Sequence, residues 1–180
     1  MSKFVTCLTP GCFLFSVPTY PDDRGSFTKL INRADLLDAG VRTNFAESFI
    51  SESKKGVIRG FHFQVPPKDQ AKMVFCLNGN IADVLLDLRK QSPQSLKHEV
   101  LHLQSEEPQI LYIPPGVAHA FQSLTEVATL IYWTSGPYSA EYDKGILWNS
   151  VGVRWPLQPS NVSKRDQGFP KIEGFQSPFE

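Results

Sequence analysis

His62 and His119 stand where an imidazole could do chemistry. Of the 4 histidines in the chain, these two sit among aromatic or aliphatic neighbours: Phe61 and Phe63 around the first, Ala118, Ala120 and Phe121 around the second. An imidazole titrates near neutral pH and can act as a general base, provided a carboxylate orients it. A histidine in such a setting is also commonly a hydrogen-bonded core residue, and the residues alone leave both readings open. Lys72 lies in the apolar stretch Ala71-Lys72-Met73-Val74-Phe75, where a buried ammonium needs an anionic partner. A developing enolate would be one. Tyr132, within Leu130-Ile131-Tyr132-Trp133, sets a phenol among apolar residues, either as a proton donor or as an interior tyrosine with a satisfied hydroxyl. His98 and His102 flank charged residues and read as solvated strand positions.

Other chemistries lack their residues. The position two after His62 is Gln64, and no acidic residue follows until Asp69. An amide oxygen replaces an imidazole poorly on a first-row transition metal, and two histidines without a carboxylate complete neither a tetrahedral site nor a facial triad. No metal is expected. There is no Gly-x-Ser-x-Gly elbow, no cysteine beside a histidine, and no glycine-rich phosphate loop. Acid–base work is what remains.

Strands must carry these side chains. The 14 prolines and 12 glycines punctuate short runs of β-branched and aromatic residues. Strands are predicted over 13–17, 26–31, 44–51, 57–65, 72–77, 80–88, 99–104, 110–113, 118–124 and 128–134. Turn signals such as Pro66-Pro67, Asn78-Gly79-Asn80 and Pro114-Pro115-Gly116 separate several of them. Many short strands so spaced indicate a sandwich or closed barrel rather than a parallel α/β sheet. The one clear helix signal is 33–39, ended by Gly40, with a single turn at 163–166. Beyond Pro156 the pattern decays into polar residues. Alternation puts Ala82, Val84, Leu86 and Leu88 on one face and Asp83 and Asp87 on the other. It likewise groups Ile58, Gly60, His62 and Gln64 against Arg59, Phe61, Phe63 and Val65. Such mixed faces suit a polar cup inside a barrel, or a second packing surface such as a dimer sheet.

The bulk properties narrow the setting. The 180 residues suit one domain, 1–180, with 41% apolar and 20% charged residues and a formal net charge of zero. A binder of nucleic acid or membrane surfaces would carry a basic excess. The 3 cysteines, Cys7, Cys12 and Cys76, form no paired framework, which points to a reducing compartment. No signal peptide is visible in Met1–Gly11 and no segment is long and apolar enough to span a bilayer. A cytoplasmic protein without membrane or nucleic-acid partners is expected.

The ordered motifs sharpen this. Asp23-Arg24-Gly25, Arg59-Gly60-Phe61-His62-Phe63-Gln64, Ala71-Lys72, Asp83 with Asp87-Leu88-Arg89, Ile113-Pro114-x-Gly116-x-Ala118-His119, Ile146-Leu147-Trp148-Asn149, Trp155-Pro156 and Ser163-x-x-Asp166 occur in this order. Together, over roughly residues 13 to 166, they resemble the dTDP-4-dehydrorhamnose 3,5-epimerase family. The resemblance implies an all-β, cupin-like jelly roll (a double-stranded β-helix) with a few short helices. It implies a homodimeric, cofactor-free enzyme acting on a nucleotide-linked sugar. By the same resemblance His62 is the base, Asp166 its carboxylate partner, Lys72 the cation near the enolate oxygen and Tyr132 the acid opposite the base. Arg24, Arg59, His119, Tyr138 and Asp143 fall at substrate-contacting positions, the two arginines suited to diphosphate.

The chain also departs from the family's pattern. Ser26-Phe27-Thr28-Lys29 puts a lysine where a glutamate is usual, Glu47 and Phe49 stand where glutamine and asparagine are frequent, and Ala120 replaces a glycine. Lys29, Glu47 and Phe49 are therefore included among the substrate-binding positions, as candidates for altered specificity. Epimerisation at C3 and C5 of a nucleotide-4-keto-6-deoxy sugar is the leading expectation. A C3-only epimerase on a dTDP-, CDP- or GDP-linked sugar, a 3,4-ketoisomerase and a non-catalytic sugar-nucleotide-binding barrel are the alternatives.

Overall fold

A computed structural model describes residues 4–41 and 44–180; Met1, Ser2 and Lys3 of the stretch scanned for a signal peptide lie outside the described residues. The strands are β1 (Phe4–Thr6), β2 (Phe13–Ser16), β3 (Thr19–Asp22), β4 (Gly25–Thr28), β5 (Glu47–Lys54), β6 (Val57–Gln64) and β7 (Lys72–Asn78). They continue with β8 (Asn80–Asp87), β9 (His98–Gln104), β10 (Gln109–Ile113), β11 (Val117–Ser123), β12 (Val127–Thr134), β13 (Asp143–Gly145) and β14 (Asn161–Val162). Helix α1 spans Arg33–Asp38 and α2 spans Lys164–Gln167.

The strands form two facing sheets, a jelly-roll barrel as the sequence leads one to expect. One sheet runs β1-β2-β10-β7-β12-β5 and the other β13-β6-β11-β8-β9, with β14 paired to β6; β3 and β4 form a separate hairpin. Every pairing in the main sheets is antiparallel except β14 with β6. Residues 19–22 pair with 25–28 around Asp23-Arg24, so the predicted strand at 26–31 is shorter and belongs to a hairpin. The predicted strand at 44–51 begins and ends later, at Glu47–Lys54.

Apolar alternation fills three clusters. Between the sheets, Val74, Cys76, Ile81, Leu85, Leu111, Phe121 and Leu130 close one end of the barrel. Val84, Leu86, Leu88, Ala118 and Ala120 face outward on the β6-side sheet together with Phe61 and Phe63. Met73, Phe75, Ile110 and Tyr112 face outward on the other sheet, beneath Leu36 of α1. The expected opposition of Val84, Leu86 and Leu88 to Asp83 is present, since the three apolar residues join the outer cluster while Asp83 reaches His119.

Two expectations need correction. The region beyond Pro156 does not decay: Ile172, Phe175 and Phe179 pack over the outer face of the β6-side sheet. Single apolar residues among prolines and polar residues carry no period, so they left no readable pattern. Cys7 and Cys12 flank one turn, with Cys7 N–H donating to the Cys12 carbonyl at 3.1 Å, and all three thiols are free, in keeping with the absence of a paired framework in the sequence.

The second correction concerns β6. His62 lies opposite His119, but Arg59 lies opposite Phe121, so Gly60 and Phe61 together oppose Ala120. This β-bulge adds one residue and reverses the alternation on its N-terminal side. Arg59 therefore joins His62 and Gln64 on the inner face, contrary to the uninterrupted alternation read from the sequence. Phe61 and Phe63 stay in the outer cluster. Gly60 permits the bulge because it has φ +117°, and an added Cβ would lie 2.5 Å from the His119 carbonyl oxygen.

Candidate active site

The open end of the barrel is a cavity of about 260 Å³ between the two sheets. β6 and β11 supply Arg59, His62, Gln64, His119 and Phe121 from one wall, and β7, β12 and β5 supply Lys72, Tyr132, Thr134, Ser51, Phe49 and Glu47 from the other. Cross-strand register explains the second wall. Lys72 pairs with Thr134 and Val74 with Tyr132; Thr134 then pairs with Glu47 and Tyr132 with Phe49. Cross-strand partners leave a sheet on the same face, so these rows point into the cup together.

His62 has a carboxylate behind it. Its Nε2 lies 2.9 Å from Asp166 Oδ1, and Asp166 Oδ2 accepts the Gly60 N–H at 3.0 Å. Asp166 sits in α2, capped by Ser163, whose Oγ accepts the Asp166 N–H at 3.0 Å. Burial by itself would raise the Asp166 carboxyl, but the hydrogen bond and charge of His62, with the bonds from Gly60 and Ser163, outweigh it and hold the group below its ordinary value. An ionised carboxylate only accepts hydrogen bonds, so Nε2 carries the hydrogen and Nδ1 keeps a free lone pair. Burial lowers the imidazole below its ordinary value despite the opposing pull of Asp166. His62 is thus neutral, and basic at Nδ1, at physiological pH.

His119 forms a second and deeper pair. Its Nε2 lies 2.7 Å from Asp83 Oδ2, with the side chains 5% and 0% exposed. The sequence placed Asp83 on an alternating face and in an ordered motif without a partner, and its pairing with His119 depends on the β8–β11 register.

Lys72 and Tyr132 complete the walls. Lys72 Nζ donates to the His62 carbonyl oxygen at 3.2 Å. Burial pushes its ammonium down to about 8, with attraction to Asp143 opposing part of the shift and Arg165 adding to it. Burial, with the Asp83 charge beside it, pushes the Tyr132 phenol well above its ordinary value, so it stays protonated. Tyr132 lies flat against Phe49, centroids 4.9 Å apart and planes at 12°, and edge-on to His119 at 6.0 Å.

The mouth is built by polar side chains. Glu47 Oε1 accepts the Tyr138 N–H at 3.2 Å. Gln64 spends its amide on the loops, donating to the Lys68 carbonyl at 2.8 Å and accepting the Ser139 N–H at 2.6 Å. Among the described residues no group of three or more His, Cys, Asp or Glu is arranged to hold a metal ion. Arg59 donates from Nε to Ser53 Oγ and from Nη2 to the Glu52 carbonyl, both at 2.9 Å, which leaves further N–H groups for a ligand.

Arg165 escaped sequence reasoning. It pairs with Asp143 at 2.6 Å, lies over the Phe169 ring at 5.3 Å and lines the same cavity. Its place beside Asp166 in a one-turn helix was the available signal. Two sequence candidates fall elsewhere. Arg24 is exposed on the β3–β4 hairpin and bonded to Asp22, and Lys29 lines a different cavity, of about 460 Å³, with Tyr20, Leu36 and Met73. Neither lines the cup of its own chain. His98 and His102 are exposed on β9.

Comparison with known proteins follows the same lines. The sequence profile of the dTDP-4-dehydrorhamnose 3,5-epimerase family matches residues 7–174. The dTDP-4-dehydrorhamnose 3,5-epimerase of Shigella flexneri is 36% identical over 160 residues, covering 87% of this chain and 88% of that protein. A crystal structure of the Bacillus anthracis dTDP-4-dehydrorhamnose 3,5-epimerase with TDP and PPi bound superposes with a TM-score of 0.91 at 33% identity, over 96% of this chain and 100% of that one. A 3'-monoepimerase from Streptomyces bikiniensis in complex with dTDP-quinovose superposes with a TM-score of 0.88 at 27% identity, over 93% and 87% of the two chains. Matched along most of its length in both sequence and fold, the chain is an enzyme that belongs to the dTDP-4-dehydrorhamnose 3,5-epimerase family.

Proposed function

We propose that the protein epimerises C3 and C5 of a dTDP-linked 4-keto-6-deoxy sugar, with His62 as base and Tyr132 as acid. The observation that carries this reading is their placement on opposite sheets facing one cavity, His62 on β6 and Tyr132 on β12. The C4 ketone acidifies the neighbouring C–H bonds, because the electron pair left by the proton delocalises onto oxygen. Nδ1 of His62 takes the proton, the C–H bond breaks and an enolate forms. Lys72 beside it stabilises the charge as it develops, which is where stabilisation raises rate. The Tyr132 O–H then gives its proton to the carbon from the other face, leaving a phenolate. Transfer of the proton from imidazolium to phenolate through solvent resets the pair. Asp166 orients His62 and steadies its charged form, while Arg59, His119, Asp143 and Tyr138 bind the substrate.

The reading extends to the setting. The protein works as a homodimer in the cytoplasm. Exposed Tyr20 and Phe27 on the β3–β4 hairpin and the neighbouring 460 Å³ cavity support a second copy there, and three free thiols support a reducing compartment. Arg24 and Lys29 contact substrate in this reading only when a second copy presents them. Light scattering tests the dimer. No helix of the described residues is long and apolar enough to cross a membrane.

A C3-only reaction is the second reading. It is favoured by Phe49 on the cavity wall, where the family commonly carries a small amide, and by the similarity to a monoepimerase. Incubation with dTDP-4-keto-6-deoxyglucose in heavy water separates the two. Label at both C3 and C5 is expected; label at C3 alone selects the second reading, and no label refutes both.

A further inference from the structure

β5 is an edge strand, and such strands usually turn polar or charged side chains toward solvent. Phe49 does the opposite. It is 47% exposed, yet its inner face covers the Tyr132 ring at 4.9 Å and 12°. The register requires this closeness, because Phe49 and Tyr132 are direct cross-strand partners. Tyr132 also meets His119, with centroids 6.0 Å apart and planes at 65°, and His119 is itself fixed by Asp83. The phenol therefore touches both a fixed imidazole and a half-exposed benzyl face. Offset stacking of two rings stabilises them beyond the area it buries and so disfavours rotation of the phenol.

We infer that Phe49 is a positioning residue for Tyr132: its ring fixes the plane of the phenol and keeps water from it, so that the proton enters the substrate carbon opposite His62. The inference rests on the epimerase reading above. Phe49 leaves from β5, whereas His62, Lys72 and Asp166 leave from β6, β7 and α2. Loosening the phenol impairs reprotonation more than C–H cleavage. The enolate then recovers a hydrogen from the His62 side, which exchanges with solvent and restores the starting configuration. Exchange and inversion become separable at this one residue.

The test measures both in heavy water with dTDP-4-keto-6-deoxyglucose, for the parent and for Phe49→Ala, Phe49→Asn and Phe49→Tyr. Phe49→Ala and Phe49→Asn should lower inversion about tenfold or more beyond any fall in deuterium uptake, with Phe49→Tyr restoring the parental ratio. Thermal unfolding verifies that each variant is folded. A second readout needs no substrate: in ring-labelled tyrosine NMR, with Tyr132→Phe for assignment, the Tyr132 ring should flip faster in Phe49→Ala. Exchange and inversion falling together, an unchanged ratio, or an unchanged ring-flip rate would each overturn the inference. Absence of exchange in the parent overturns the epimerase reading, and the role given to Phe49 with it.

Discussion

Asp166 holds His62 by one oxygen, at 2.9 Å, and the backbone of the preceding bulge by the other, through Gly60 N–H at 3.0 Å. A single carboxylate thereby sets both the tautomer of the imidazole and the strand geometry that aims it. The separation of 104 positions in sequence between the two partners makes this a tertiary device, built only when α2 docks on β6.

Replacing that carboxylate with its amide should reverse the tautomer. In Asp166→Asn the amide oxygen is needed by Gly60 N–H, so the NH₂ group faces His62 Nε2 and makes it an acceptor. The hydrogen moves to Nδ1 and the base is lost. Turnover should fall about 10²–10⁴-fold, with little change in melting temperature. Activity within threefold of the parent would contradict the assignment of Nδ1 as the free nitrogen.

The pH profile should be bell-shaped and narrow. Activity rises as His62 loses its proton, below the ordinary value of 6.5 because burial depresses it. It falls as Lys72 loses its own, near pH 8. An alkaline limb in kcat/KM lying well above pH 9 would detach Lys72 from the reaction.

Lys72→Met should separate activity from stability. The folded lysine titrates near 8, below its ordinary 10.5, so its charge costs the fold stability at every pH under about 8, and the cost fades as pH rises toward 10.5. Removing it should lower turnover by about 10²–10³-fold. The variant should be at least as stable at pH 7 in urea unfolding, by on the order of 1–3 kcal/mol. A loss of stability would show that Lys72 is structural.

Gly60→Ala should fail in both respects. The new methyl meets the His119 carbonyl oxygen at 2.5 Å and Ala120 Cα at 2.6 Å, with φ at +117°. Both neighbours are backbone and cannot swing aside. A cost of about 2–4 kcal/mol is expected, together with loss of turnover, because the bulge aims Arg59 and His62. Wild-type melting in this variant would mean that the bulge relaxes freely.

Local chemistry made much of the cup legible. His62, His119, Lys72 and Tyr132 each stood out as a polar group in an apolar strand, and such residues in a barrel either find partners or line a cavity. Strand periodicity correctly opposed Asp83 to Val84 and Leu86. It failed at Gly60, because a bulge needs only one extra residue and leaves the composition of its strand unchanged. β13 and β14 were invisible because strands of three and two residues have too few positions to show alternation. Arg24 matched a motif and Lys29 departed from one; the first is on the β3–β4 hairpin and the second just after it, both away from the cup. Arg165 was hidden by its neighbour, the more obvious Asp166.

The parallel pairing of β14 with β6 has a consequence for the order in which function appears during synthesis. The strands that make the barrel wall leave the ribosome first, and the segment bearing Asp166 follows them. A nascent chain can thus enclose its cavity while the imidazole at its edge is still unarmed. Catalytic competence arrives as the late segment threads along β6, so turnover itself becomes a timer for the docking of α2.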